Sequence, residues 1–363
     1  MYKILIWGTG EVANKVLDNC KTINEYEIIG CIDNNIKKIG TYFRKYKVYS
    51  IEILDSVVFD KIVILTEAYE EIYSQIVDKY PTLIGKIENK NFFFKESLLC
   101  RYKGTKDEEI IKVLTNIKEN GLNVFNYSFV EKYTNYKVPV YFDKKCSMNY
   151  VIHKGKFLYF PKKYDNEEKV LKYYRSILAE QDRESPHRYL SDDFNVLKGS
   201  IVVDVGVAEG NFALEIIDKV SKIYLIEADD DWIEALEETF KNYRDKVVIK
   251  RAFVSSYDEG KFSKLDSMIK EPVDFIKMDI EGNEWDALLG AEEIVRKSEN
   301  LQLAVCCYHS DFDQILIEKY MDQHKITHDT TRGYMWFPYT VRQNYVSTSL
   351  NRAVVRGRKC EMQ

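Results

Sequence analysis

The sequence predicts an α/β protein built on a doubly wound Rossmann-like sheet, with a smaller Rossmann-like α/β domain ahead of it. Three observations carry this. Apolar strands and amphipathic helices alternate along most of the 363 residues. Two strands run into glycine-bracketed turns that open helices, "YKILIWGTGEVANKV" near the start and "SIVVDVGVAEGNFALEII" from Ser200 to Ile217. The strands of the second set are unbroken apolar runs, the pattern of burial on both faces.

Composition narrows the class. Hydrophobic residues make up 45% of the chain, enough for two or three globular cores. The net charge is -5 with both signs well mixed, so a nucleic-acid wrapper with its basic stripe is not expected. No apolar run approaches a membrane span, and "MYKILIWGTG" reads as a strand rather than a signal peptide. The 7 cysteines are scattered, with no C-x-x-C pair, and read as reduced, mostly buried thiols of a cytoplasmic protein. With 27 Tyr and only 6 Pro, long disordered linkers are not expected.

The first unit spans residues 1–95. "YKILIWG" is a strand, "TGEVANKVLDNC" a turn and helix, "YEIIGCID" a second strand, "FDKIVILT" a third, and "EEIYSQIVDKY" a helix. Gly8-x-Gly10-x-x-Ala13 fits a dinucleotide fingerprint, and Asp33 stands roughly 20 residues on, where a ribose-binding acid belongs. The alternative is a turn whose glycines serve only helix packing. The pattern fades near "NKNFFFKESLLC", before a second nucleotide-binding half is complete.

Residues 96–164 form a mixed connecting region, with "KVPVYFD" and "GKFLYF" as short strands or hairpins. The third region, 165–363, opens on the amphipathic helix "DNEEKVLKYYRSILAEQ", with Val170, Leu171, Tyr174, Ile177 and Leu178 on one face. In "DRESPHRYL", Ser185 and Pro186 read as the cap and first turn of a short helix. Strands follow at "IVVDVG", "KIYLIEA", "KVVIKRAFV", "VDFIKMDI" and "LQLAVCCYH". Helices are expected at "NFALEIIDKV", "DWIEALEETFKNY", "NEWDALLGAEEIVRKS" and "DFDQILIEKYMDQH", and closing strands at "GYMWFP" and "NRAVVRGRK".

The second turn decides among ligands. A phosphate-binding loop needs a lysine and a hydroxyl after its last glycine, but Gly210 is followed by Asn211 and Phe212. A dinucleotide turn needs G-x-G-x-x-G, whereas this one reads Gly206-x-x-x-Gly210 with Asp204 before it and Glu209 inside it. Two carboxylates repel a pyrophosphate and suit a ligand with a cationic end. S-adenosylmethionine (SAM) is such a ligand: its sulfonium and ammonium are positive and it carries no phosphate. Glu227, at the tip of "YLIEA", is placed to take both ribose hydroxyls, its bland alternative being a neighbour of the next helix cap.

"VVDVGVAEGNFAL", "YLIEAD", "DFIKMDIEGNEWDALLGAEEI" and "LAVCCYH" together resemble the FkbM-type class I SAM-dependent methyltransferases, over about Leu178 to Lys359. The most specific piece is D-x-E-G-x-E followed by L-x-G-A. The resemblance implies methyl transfer to a hydroxyl, often of a sugar or polyketide. It implies that Asp204, Gly206 and Gly210 line the methionine end of SAM, that Glu227 holds the ribose, and that Ala252 and Phe253 lie near the adenine. Val207-Ala208-Glu209 departs from many members and leaves the role of Glu209 open. Residues 1 to about 91 are similar to the small Rossmann-like domains that precede sugar-modifying enzymes, which implies a small-molecule or glycan acceptor.

Methyl transfer needs an aligned acceptor oxygen and removal of its proton. Asp279 and Glu281 follow the fourth strand and His309 the fifth, so all three converge beyond the carboxyl edge of the sheet. Asp279 and His309 are the first candidates for the base. The three together are alternatively ligands of a divalent metal that orients and acidifies the acceptor hydroxyl. His187, with Arg188, is a further candidate, read either as part of a lid or as a solvated residue of a capped helix. Arg356 and Arg358 alternate on one strand face and Arg332 lies on a neighbouring strand, either as a solubilising tail or as a grip on an anionic acceptor. Two other classes stay open: a nicotinamide-dependent oxidoreductase using the first turn, and a non-catalytic SAM-binding module.

Overall fold

The computed structural model describes residues 2–20, 26–338 and 348–359. The chain divides into two compact units, one running to Val124 and including 348–349, the other from Phe125 onward. The expected connecting region, 96–164, is therefore not a separate body: its first half belongs to the first unit and its second half to the second.

In the first unit, β1 (Tyr2–Trp7), α1 (Glu11–Asn19), β2 (Tyr26–Ile32), β3 (Tyr42–Phe43), β4 (Tyr46–Tyr49), β5 (Lys61–Ile64), α2 (Tyr69–Lys79) and β6 (Ile87–Glu88) follow in order. The sheet order is β3-β4-β2-β1-β5-β6, parallel except for the β3/β4 hairpin. Leu5, Trp7, Ile32, Ile62, Ile64 and Ile76 form its core. Two helices close the unit, α3 (Phe92–Arg101) and α4 (Glu108–Asn120). Asp107 caps α4 by accepting from the amides of Glu109 and Ile110.

The second unit opens with α5 (Glu131–Thr134) and an antiparallel sheet of β7 (Tyr141–Asp143), β8 (Met148–His153) and β9 (Lys156–Phe160). The helix α6 (Glu167–Glu180) buries Val170, Leu171, Tyr174 and Ile177 as its periodicity predicts, while Leu178 is half-buried. No helix forms at "SPHRY". The Ser185 hydroxyl accepts from the His187 amide, closing a turn. The chain then leaves helical geometry because the Arg188 guanidinium donates to the carbonyls of Gln181 and Leu190.

The main sheet is built from β10 (Ile201–Val205), α7 (Asn211–Ile216), β11 (Lys222–Glu227), α8 (Asp230–Thr239) and β12 (Val247–Arg251). Then come β13 (Phe253–Val254), β14 (Phe262–Ser263), α9 (Leu265–Met268), β15 (Phe275–Met278), α10 (Glu284–Leu289), α11 (Glu292–Lys297), β16 (Gln302–Cys306), α12 (Asp313–Gln323), β17 (Thr327–Thr330) and β18 (Val354–Arg358). The order is β12-β11-β10-β15-β16-β18-β17, with the first five strands parallel and β18 antiparallel to both neighbours. The direction of winding reverses between β10 and β15, so a crevice opens beyond their carboxyl ends.

Three expectations differ in detail. "KVVIKRAFV" breaks at Ala252, whose amide turns to the Glu227 carbonyl at 3.0 Å, so that β13 pairs with β14 instead. The helix expected over "NEWDALLGAEEIVRKS" is two helices parted at Gly290. A Cβ there would meet the Ser255 carbonyl oxygen at 2.0 Å, and the Asp266 carboxylate caps α11 by accepting from Glu293 and Ile294. "GYMWFP" contributes only the bridge of Met335 to Asn351, and the neighbour of β18 is the polar "THDT" of β17. The six described cysteines are free thiols, and Cys360 lies outside the described residues. Among the described residues no helix is long and apolar enough to cross a membrane.

Candidate functional site

A cavity of about 540 Å³ opens beyond the carboxyl ends of β10, β11 and β15. Its walls are Val205, Gly206 and Ala208 from the turn, Glu227 to Asp229 from the tip of β11, and Trp232 from α8. Ala252, Phe253, Val254 and Phe262 close one end, and Asp279 to Asn283 the other side. The turn is possible only because residue 206 is glycine. Its φ is +75°, and a Cβ would lie 1.8 Å from the Asp279 carbonyl oxygen. Glu227 fixes the turn from the next strand: one carboxylate oxygen accepts from the Ala208 amide at 2.9 Å, the other from Ala228 at 2.7 Å and Asp229 at 2.9 Å. Asn283 ties the far wall down by donating to the Val254 carbonyl at 2.7 Å.

Behind this wall lies a buried polar network. Lys277, 3% exposed in the middle of β15, donates to the Gly206 carbonyl, stands 3.0 Å from Asp204 and lies beneath the Tyr189 ring. Burial alone would discharge this amine, but Asp204 and Asp279 outweigh it and hold it protonated. Asp279 accepts from the hydroxyls of Tyr189 at 2.7 Å and Tyr308 at 3.1 Å, with the His187 Nε2 3.5 Å away. Burial opposes its charge, yet His187, Lys277 and His309 together hold the carboxyl well below its usual range.

His309 is buried among acids. Its Nε2 is 3.6 Å from Asp279 and 3.6 Å from Glu281, and its Nδ1 is 3.2 Å from Glu284. These are ion-pair separations, but neither ring nitrogen meets hydrogen-bond geometry. Burial would lower its pKa, but Glu284, Asp279 and Glu281 overcome that and push it up to about 9. Glu284 is itself anchored, accepting from the amides of Ile280 at 2.9 Å and Gly282 at 3.3 Å.

Of the expected cofactor residues, Gly206, Glu227, Ala252 and Phe253 line the cavity, and three do not. Asp204 is wholly buried against Lys277. Gly210 faces α8, where a Cβ would meet Leu236 and Phe240 at 2.9 Å. Glu209 is 5% exposed and accepts from the Tyr173 hydroxyl at 2.8 Å, burial raising its pKa. Asp279, Glu281, His309 and His187 are brought into one cluster. His187 is 2% exposed, so it is not a solvated residue.

The arginines do not form one grip. Arg358 pairs in register with Gln302 at the amino end of β16, the edge of the sheet opposite the cavity, and contacts Asp193. The Arg356 guanidinium donates to the carbonyls of Arg188 and Tyr189 and to the Ser191 hydroxyl, at 2.8, 3.1 and 3.1 Å. It fastens the loop that carries Tyr189. Arg332 follows β17 at the opposite edge from Arg358 and is exposed. Lys277, Glu284, Tyr189, Tyr308 and Tyr173 were not singled out by sequence. Lys277 had a signal, as the single cation inside an apolar strand, and Glu284 is the last acid of D-x-E-G-x-E.

The first unit has its own cavity of about 370 Å³, beyond β1 and β2, lined by Gly8, Thr9, Gly10, Asp33, Lys38 and Thr66 among others. Asp33 accepts from the Thr9 amide and hydroxyl and from Lys38 at 2.9 Å, so its carboxylate is already tied to the turn.

The second unit thus sets five parallel strands beside the antiparallel β18, with an acid-tipped crevice where the winding reverses. Residues 193–341 match the family described as the Methyltransferase FkbM domain. It is this region, within the second unit, that carries the FkbM methyltransferase match. Residues 1–81 match a family described as C2185-like, N-terminal. Among solved structures, the chain is similar to the methyltransferase FkbM from Methylobacillus flagellatus KT, at 15% identity and a TM-score of 0.46, over 98% of this chain and 90% of that one. A SAM-dependent methyltransferase from Aquifex aeolicus is 16% identical with a TM-score of 0.33, over 53% of this chain and 97% of that one. The precorrin-6y C5,15-methyltransferase from Geobacter metallireducens GS-15 is 10% identical with a TM-score of 0.33, over 46% and 84%. No curated protein matches the chain.

Proposed function

We propose that the protein methylates a hydroxyl of a sugar or sugar-linked small molecule, with SAM held in the 540 Å³ cavity. The observation that carries this reading is the charge of the lining: Glu227, Asp229, Asp279 and Glu281, with no lysine or arginine among the described residues. Such a cavity disfavours phosphates and suits a sulfonium and an ammonium. The free lone pairs of Glu227 serve the ribose hydroxyls, and the apolar end at Ala252, Phe253 and Phe262 serves the adenine.

In the reaction the acceptor oxygen attacks the methyl carbon in line with the sulfur. The C–S bond breaks with its electron pair going to sulfur, which becomes a neutral thioether, and the acceptor loses its proton as the O–C bond forms. Asp279 is too well stabilised as an anion to be an effective base. Glu281, exposed at the cavity and 3.6 Å from the His309 Nε2, is the group assigned that proton. Asp279 supplies fixed negative charge beside the sulfonium, and His187 and His309 position it.

Calorimetric titration of SAM and S-adenosylhomocysteine tests the reading. Both should bind the full chain, and Glu227→Ala should weaken SAM by about 1–3 kcal/mol, the range for lost hydrogen bonds to a charged group. An unchanged dissociation constant in folded Glu227→Ala removes Glu227 from the site. Incubation with nucleotide sugars and free glycans, read by mass for one added methyl group, tests the acceptor class.

A further inference from the structure

We propose that the cavity of the first unit binds a phosphorylated sugar, free or carried by a mononucleotide, with its phosphate on the amino end of α1 and its body against Trp7. The site stands apart from the methyltransferase reading, since it uses residues of the first unit alone. Two independent observations carry it. The first is α1 itself. No side chain caps it among the described residues, and its first internal hydrogen bond runs from the Asn14 amide to the Gly10 carbonyl at 3.2 Å. The amides of Glu11, Val12 and Ala13 therefore have no acceptor within the helix, and Glu11 and Val12 line the cavity. Such a helix end attracts a phosphate. The second is Trp7. It lines the same cavity, is 1% exposed, and its indole Nε1 has no hydrogen-bond partner among the described residues. An indole N–H can only donate and is costly to bury unpaired, so it calls for an acceptor oxygen that the chain does not supply.

The two glycines of the turn have different reasons. Gly8 is demanded by the fold: its φ is +104°, and a Cβ would lie 2.8 Å from the Leu65 carbonyl oxygen. Gly10 is not. Its φ is -99°, and a Cβ there would meet nothing within 4 Å. What a bare Gly10 preserves is room in the cavity for a ligand to reach the uncapped amides.

Charge and size choose the ligand. Where the second turn is preceded by the buried Asp204, the first has Ile6. Glu11 and Glu67 line the cavity, but their side chains are 80% and 75% exposed and are matched by Lys15 and Lys90, each at 2.8 Å. The Asp33 carboxylate already accepts from the amides of Thr9 and Asn35 and from Lys38, so it is not left to bridge the ribose hydroxyls of a dinucleotide. What remains are donors: the helix amides, the Trp7 indole, and Lys38. The Lys38 ammonium gives two protons to Asp33 at 2.9 Å and Thr9 Oγ1 at 3.0 Å, which leaves the third for a ligand. A set of donors selects an anion rich in acceptors. The volume of about 370 Å³ is near the low end of the ~300–1,000 Å³ of small-molecule sites, room for one sugar or nucleoside rather than two.

The test is calorimetric titration of the full chain with AMP, UMP, ribose 5-phosphate, glucose 1-phosphate, adenosine and NAD. It is paired with proton–nitrogen correlation spectra of protein labelled at tryptophan. The chain has 4 tryptophans, and Trp7→Phe identifies the indole signal of Trp7. At least one phosphorylated probe should bind and move that signal downfield, as a new hydrogen bond does. A sugar phosphate that binds as well as the mononucleotides assigns the free sugar, and a mononucleotide that binds better assigns the nucleotide. Adenosine, without the phosphate, should bind at least about 10-fold more weakly than AMP. Gly10→Val fills the cavity beside the amides and Lys38→Met removes the ammonium, and each should weaken the phosphorylated ligand at least about 10-fold. Gly85→Ala, outside the cavity and with nothing within 4 Å of its Cβ, should change nothing. Thermal midpoints near that of the parent certify the variants. The site is overturned if no phosphorylated probe binds at millimolar concentration, or if the Trp7 signal stays in place when one does. Binding indifferent to both Gly10→Val and Lys38→Met, or NAD held more tightly than AMP, overturns it equally.

Discussion

Gly206→Ala is the sharpest perturbation of the cavity. The added methyl carbon would sit 1.8 Å from the Asp279 carbonyl oxygen and 2.8 Å from the Ile280 Cγ2, so the ends of β10 and β15 must separate. That movement strains the hydrogen bonds of the Asp279 amide to Val205 at 3.0 Å and of the Gly206 amide to Ile226 at 2.9 Å. A left-handed alanine costs about 1–2 kcal/mol, two lost backbone bonds about 2, and forced displacement about 1–3. The expected loss is therefore about 4–7 kcal/mol, a large part of the roughly 5–15 kcal/mol that holds a domain folded. At roughly 2–4 °C per kcal/mol, the midpoint should fall by at least about 8 °C in differential scanning calorimetry. Gly199→Ala is the matched control, since Gly199 has φ +87° and a Cβ there meets nothing within 4 Å. It should lose only the backbone cost. If Gly206→Ala loses no more than Gly199→Ala, the close approach of the two strands is not what demands glycine.

Other consequences can be measured in the same way. His153 is buried beside the Tyr174 hydroxyl at 3.0 Å, and burial, then Lys154, lowers its pKa from 6.5 to about 4. The unfolded chain takes that proton first, so the contribution is complete above pH 6.5 and lost as pH falls toward 4, by about 3 kcal/mol in all. His153→Phe should flatten this acid limb of the stability curve, and an unchanged limb refutes the assignment. Tyr173→Phe leaves the buried Glu209 without its donor and should cost about 1–3 kcal/mol. Adding Glu209→Gln should recover part of it, whereas strict additivity in the double-mutant cycle would show no coupling. Arg356→Gln should cost about 2–4 kcal/mol by releasing the Arg188 and Tyr189 carbonyls. A higher Michaelis constant for an anionic acceptor with unchanged stability would instead return Arg356 to substrate binding.

Much of the fold was legible because it rests on local pattern. Unbroken apolar strands, the two glycine turns and the amphipathic face of α6 each follow from the period of side-chain burial, which a sequence states directly. The places where the reading failed are those where contacts distant in sequence override that period. "THDT" became the strand β17 because Val354 to Arg358 offered it a ladder. "SPHRY" unwound because Arg188 found carbonyls on both sides. The helix after β15 broke at Gly290 because the Ser255 carbonyl approaches it too closely.

By itself the sequence determined the α/β class, the two strand–turn–helix units, the acidic character of the second turn and the resemblance carried by D-x-E-G-x-E. Only the tertiary structure decided which acids face the cavity. Asp204 and Glu227 both close a β-strand or precede its turn, yet one is sealed against Lys277 and the other lines the pocket. It also decided that Arg356 is a structural clamp, and that His187 and His309, 122 residues apart by number, share the carboxylate of Asp279. The physical reason is that spacing along a chain fixes which face of its own element a side chain takes. What that face meets depends on strand order and on burial, and charge responds to those neighbours rather than to the residues beside it in sequence.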